Sequence, residues 1–234
     1  MSQGYSSRPA LFDEETRRAL RKVFSDFKRS LVDYLILSDS GCPTCSDAKR
    51  LAEEIARVSD SIVSFKFLDR AHVAEKLAVR YVPAFIYDTR KRNIRYYGLP
   101  SGQEFTPFIY VHRYIANNEI NLPRGIVELV ESIETPIHVK VFVTPECPYC
   151  PIVVDAVNQM GIVNDDIIVE TIEALELPLE ADMYHVMYVP SVIVTDPARW
   201  MEYGAKPLGA VNGYAPIEDV AKVIYEASRK LGKR

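Results

Sequence analysis

Four cysteines are present in the 234-residue chain, and they fall into two Cys-x-x-Cys pairs, Cys42-Pro43-Thr44-Cys45 and Cys147-Pro148-Tyr149-Cys150. Two residues between paired cysteines suit dithiol–disulfide exchange or metal ligation. Exchange needs one thiol that ionises and a second within reach to resolve the mixed disulfide. A pair laid across the first turn of a helix supplies both. Free N–H groups and the helix dipole stabilise negative charge on the first sulfur, which lowers a thiol pKa from about 8.5 into the range of roughly 3.5–7.5. Pro43 and Pro148 follow the first cysteines. They are read here as first-turn prolines, whose missing N–H would have no partner anyway.

Metal is the main rival reading. Structural zinc modules usually place their pairs about 15–20 residues apart. Here the whole stretch from Ser46 to Glu146 intervenes, and each pair opens a helix of its own. No metal is expected. A secreted disulfide scaffold would scatter more cysteines through a smaller chain.

The elements that must position these cysteines can be read from periodicity. In the first half, 11–30 reads as a helix and 31–38 as a strand. Residues 43–58 form an amphipathic helix with Ala48, Leu51, Ala52, Ile55 and Val58 on one face. A strand at 62–68, a short helix at 73–80, a strand pair at 84–88 and 94–98, and a helix at 103–117 follow. The second half gives the same order: helix 124–133, strand 137–143, and helix 148–160 with Ile152, Val153, Ala156, Val157 and Met160 on one face. It continues with strand 167–173, helix 179–187, a strand pair at 191–195 and 207–211, and helix 216–231. Tyr81-Val82-Pro83-Ala84 and Tyr188-Val189-Pro190-Ser191 repeat downstream of the two pairs. A repeat of roughly a hundred residues is a domain duplication and not a solenoid. The expected units are 1–119 and 120–234, joined near Asn118–Pro123 by a link short enough that the halves pack together.

Composition excludes other classes. Apolar residues make up 48% and charged residues 26%, which fits neither a disordered chain nor a coiled coil. No apolar run approaches the roughly 18 residues of a membrane span, and Met1–Tyr5 lacks the basic start of a signal peptide. The net charge of −4 gives no reason to expect nucleic acid as a partner. His72, His112, His138 and His185 do not recur between halves and read as surface or satisfied core residues.

Strand, Cys-x-x-Cys, helix, and Val-Pro before a strand together resemble the thioredoxin superfamily. Cys147-Pro148-Tyr149-Cys150 is the motif typical of glutaredoxins. A chain of this length with both motifs intact resembles the protein disulfide oxidoreductases of thermophilic archaea and bacteria. The resemblance covers essentially the whole chain. It implies an α/β chain of two tandem thioredoxin-fold domains, each a central mixed β-sheet flanked by helices. It implies Cys42 and Cys147 as attacking thiols and Cys45 and Cys150 as resolving thiols. Pro83 and Pro190 would be cis and face the cysteines. Val82 and Val189 would offer their backbone to an extended substrate, and Tyr149 would lie on the site rim. It further implies a cytoplasmic protein with no cofactor at the cysteines. Its partners would be proteins carrying disulfides or dithiols, and a thioredoxin-reductase-type flavoprotein as electron donor.

The sequence departs from thioredoxin at two places. Gly41 and Glu146 stand where thioredoxins carry Trp, and Ile36 and Val141 where they carry a buried Asp. No base is assigned from the sequence. Thr44 and Tyr149 differ at one motif position, which predicts unequal potentials. Two alternatives stay open: a dedicated electron carrier between a flavoprotein reductase and a peroxidase, and a non-catalytic chaperone-like binding module.

Overall fold

A computed structural model describes residues 11–233; the reading of Met1–Tyr5 lies outside that range. In chain order the first half runs α1 (Glu14–Ser25), β1 (Leu31–Leu37), α2 (Cys45–Val58), β2 (Val63–Asp69), α3 (Arg70–Leu77), β3 (Ala84–Ile86), β4 (Ile94–Tyr97) and α4 (Phe105–Asn117). The second runs α5 (Arg124–Glu131), β5 (Ile137–Val143), α6 (Cys150–Val163), β6 (Ile167–Glu173), α7 (Pro178–Met183), β7 (Ser191–Thr195), β8 (Gly209–Asn212) and α8 (Ile217–Leu231). The order of elements is the same in both halves. Each is a mixed four-stranded array flanked by helices, the thioredoxin fold.

The two arrays do not stand apart. They join edge to edge into one eight-stranded sheet in the order β2-β1-β3-β4-β6-β5-β7-β8. The seam is a parallel pairing of β4 with β6, from Ile94 opposite Val169 to Tyr97 opposite Ile172. All four residues of β4 are buried. Left unpaired, β4 would present a row of free backbone donors and acceptors on an apolar edge. Fusing the halves removes two such edges at once.

Side-chain caps set the start of α1 and α3. The first helix begins at Glu14 because Asp13 accepts the backbone N–H of Thr16 at 2.7 Å. Similarly, α3 begins at Arg70, with Asp69 accepting from Ala71 N at 2.7 Å. In α2 the five expected core residues are all buried. In α6, Val153, Ala156, Val157 and Met160 are buried, but Ile152 is exposed. Ile152 sits in the first turn of α6, at the site end, where nothing is stacked over it.

Candidate functional site

Both cysteine pairs stand at the same kind of junction, where a strand gives way to a helix. Each is closed as a disulfide, with Cα atoms 5.4 Å apart for Cys42–Cys45 and 5.5 Å for Cys147–Cys150. The four sulfurs are therefore two separate pairs and not one tetrathiolate set. Cys42 is half-buried, while Cys45, Cys147 and Cys150 are buried.

The prolines do not occupy the first helical position. The helices start at the second cysteines, Cys45 and Cys150, so Pro43 and Pro148 precede them in the turn. Cys45 N donates to Cys42 O at 3.4 Å, and Thr44 has φ −99° and ψ 0°. Tyr149 has φ −98° and ψ −17°. These are the values of the third residue of a type I turn, and proline is favoured at the second. The prolines thus pre-set the turn that brings the two sulfurs together. At the second pair, Cys150 N lies 3.1 Å from Cys147 Sγ and donates to it. A helix-start N–H aimed at a sulfur is the arrangement that favours negative charge there.

The Val82–Pro83 and Val189–Pro190 peptide bonds are both cis, and both prolines are buried. Strand register brings them to the cysteine end of the sheet. Ala84 pairs with Ile36 near the end of β1, and Ser191 pairs with Phe142 near the end of β5. The loops carrying Cys42 and Cys147 leave from those same strand ends.

The surroundings of the two pairs differ. Beside the second, Tyr149 is exposed and its ring meets Tyr214 at 5.2 Å. Met187 and Tyr188, just before Val189, are 80% and 71% exposed. Their counterparts before Val82 are enclosed by the second half. Arg80 donates to Glu202 O at 2.7 Å and lies 3.5 Å from the Tyr203 ring centroid, and Tyr81 donates its hydroxyl to Glu180.

Two carboxyl groups near the pairs were not found by sequence reasoning. Glu104 is fully buried, and neither of its oxygens has a hydrogen-bond partner among the described residues. Burial pushes its pKa up to about 8. Its turn rests on the loop leading to Cys147: Gln103 N donates to Pro145 O at 2.8 Å. Gly102 sits at φ +57°, where an added Cβ would lie 2.3 Å from Pro145 O. Glu176, from the second half, accepts the Thr44 hydroxyl and accepts Leu99 N at 2.7 Å. Glu176 reaches across the seam, and the turn that carries Glu104 rests on the other half, where local pattern carries no signal. Of the histidines, His112 is buried 2.7 Å from Asp33 and His138 is buried 2.8 Å from Glu170, while His72 and His185 are exposed.

Comparison with known proteins gives the same picture. A family model described as a thioredoxin domain matches residues 137–202. A protein disulfide oxidoreductase from Aeropyrum pernix superposes with a TM-score of 0.80 at 25% identity, covering 93% of this chain and 94% of that one. The chain resembles the tandem thioredoxin-fold protein disulfide oxidoreductases. Its fold and paired disulfides are those of a thiol–disulfide oxidoreductase. The fold is also similar to that of the alkylhydroperoxide reductase AhpF of Enterococcus faecalis, with a TM-score of 0.78 at 15% identity, over 91% of this chain and 99% of that one. Among curated relatives, an alkyl hydroperoxide reductase of Staphylococcus epidermidis is 25% identical over 75% of this chain. The match spans only 30% of that relative's length.

Proposed function

We propose that the chain catalyses thiol–disulfide exchange in protein substrates through both pairs, in units 1–119 and 120–234. The observation that carries this reading is the doubled junction itself: a disulfide at a helix start, with a Val-Pro step at the same end of the sheet, in each half. In reduction, the Cys147 or Cys42 thiolate attacks one sulfur of a substrate disulfide. The other substrate sulfur leaves and takes a proton. Cys150 or Cys45 then attacks the mixed disulfide, releasing the second substrate thiol and leaving the pair oxidised. Val82 and Val189 are assigned as backbone docking points beside Pro83 and Pro190, and Tyr149 as a rim contact. Restoring the reduced pair takes two electrons, for which a flavoprotein of the thioredoxin-reductase type is the proposed donor in the cytoplasm. Among the described residues no helix is long and apolar enough to cross a membrane.

The test is reduction of insulin disulfides with dithiothreitol. Cys42→Ser/Cys45→Ser and Cys147→Ser/Cys150→Ser are each expected to keep part of the activity, and the quadruple variant none. An inactive wild type, or an active quadruple variant, would overturn the reading, the latter in favour of a binding module.

A second reading is supported by the alkyl hydroperoxide reductase relatives: a carrier passing electrons from a flavoprotein reductase to a peroxidase. It predicts that one double variant matches wild type in a reductase-coupled peroxide assay while the other is inactive.

A further inference from the structure

We propose that Glu176, supplied by the second half, tunes the redox equilibrium of the first cysteine pair through Thr44. This rests on the reading of Cys42 and Cys45 as an exchange site. Thr44 stands between those cysteines at the N-cap of α2, where a threonine hydroxyl ordinarily accepts a backbone N–H of the first turn. It makes no such cap here. Its hydroxyl is donated instead to Glu176 across the seam. A carboxylate is thereby fixed beside the residue that separates the two cysteines.

The carboxylate is held from several directions. Its other oxygen accepts Leu99 N at 2.7 Å, and Glu176 N donates to Glu173 Oε2 at 2.6 Å. Gly98 makes the approach possible: it has φ +102°, and an added Cβ would lie 2.7 Å from Glu173 Cβ and 3.2 Å from Glu176 Oε1. At the second pair, Tyr149 occupies the position of Thr44 and meets the Tyr214 ring instead.

Reduction of the first pair creates thiolate character at Cys42. A neighbouring negative charge opposes it, so Glu176 biases the first pair toward the disulfide. Glu176 is a positioning residue and does not touch the reacting bond.

The experiment uses the full-length chain with Cys147→Ser/Cys150→Ser, so that only the first pair exchanges. The probe is glutathione. One oxidised pair plus two glutathione molecules gives the reduced pair plus one glutathione disulfide, read by alkylation and mass measurement. Glu176→Gln keeps the shape and removes the charge: its one amide oxygen can still accept Leu99 N, and its NH2 would then donate to the Thr44 hydroxyl, which can accept as well as donate. Glu176→Gln and Glu176→Ala are both expected to shift the constant about three- to tenfold toward the reduced pair. In the chain with Cys42→Ser/Cys45→Ser, the constant of the second pair is expected to stay put. A Gln variant that behaves as Glu176 while Ala differs would mean packing alone and would overturn the proposal. So would equal movement of both pairs, or no movement. If neither pair equilibrates with glutathione at all, the exchange reading fails first, and the two failures are distinct.

Discussion

Glu104 has consequences that can be worked out at the level of a single side chain. Its ordinary pKa is near 4.5, and burial raises it to about 8. Below about pH 4.5, folded and unfolded chains both hold the proton and the residue is neutral to stability. Between about 4.5 and 8 the unfolded chain releases the proton while the folded chain keeps it, so stability falls as pH rises. Above about 8 the loss is complete, at roughly 2–5 kcal/mol. Glu104→Gln removes this dependence. Urea denaturation of the oxidised protein is expected to show the variant gaining on wild type from pH 5 to pH 8. A difference that stays constant across that range would mean that Glu104 ionises freely in the fold. The same acid marks the boundary of what sequence could reveal. The cysteines, Val-Pro pairs and Tyr149 lie in short motifs whose spacing states their geometry. Glu104 and Glu176 gain their positions only when one half closes on the other, at Pro145 in one case and Thr44 and Leu99 in the other.

Individual strands and helices were legible because burial imposes period on them: β5 is buried throughout and reads as an unbroken apolar-rich run around His138 and Lys140. Those two polar residues are the exception, and they belong to a charged cluster that ties β5 to its neighbours. Lys140 Nζ donates to Glu170 Oε2 at 3.2 Å and to Glu180 Oε1 at 3.0 Å, all three being buried. Burial alone would depress the lysine pKa, but Glu170 and Glu180 hold it above its usual value. Burial would likewise raise Glu170, yet His138, Lys140 and Arg95 keep its carboxyl well below the usual range. Removing one partner from such a set strands the others. Lys140→Met is therefore expected to destabilise by about 3–5 kcal/mol, measured by denaturant unfolding. A cost under about 1 kcal/mol would mean that water reaches Glu170 and Glu180 and that the cluster is not a dry one.

The same cluster crosses the seam. Tyr97 of the first half donates to Glu170 Oε1 at 3.1 Å, and Arg95 lies 3.6 Å from that oxygen. Alongside it, Asn93 donates from its side chain to Gly161 O at 2.7 Å and Ile167 O at 3.0 Å, and Val169 N donates to Asn93 O at 2.7 Å. Nothing in the repeat foretold this ladder, since each half already closes its own four-strand pattern. What made the seam necessary is physical: β4 is buried on both faces, and β6 pairs on both edges. A molecule joined this way should not melt as two independent domains. Calorimetry of the oxidised full-length chain is expected to give one transition whose van't Hoff and calorimetric enthalpies agree. Chains of 1–119 or 120–234 alone would expose the apolar edge of β4 or of β6, and are expected to self-associate through it. Two resolved transitions, with each half monomeric on its own, would instead mean that the seam is a docking contact. The Glu176 carboxylate reaching across it would then be free to withdraw from the first pair.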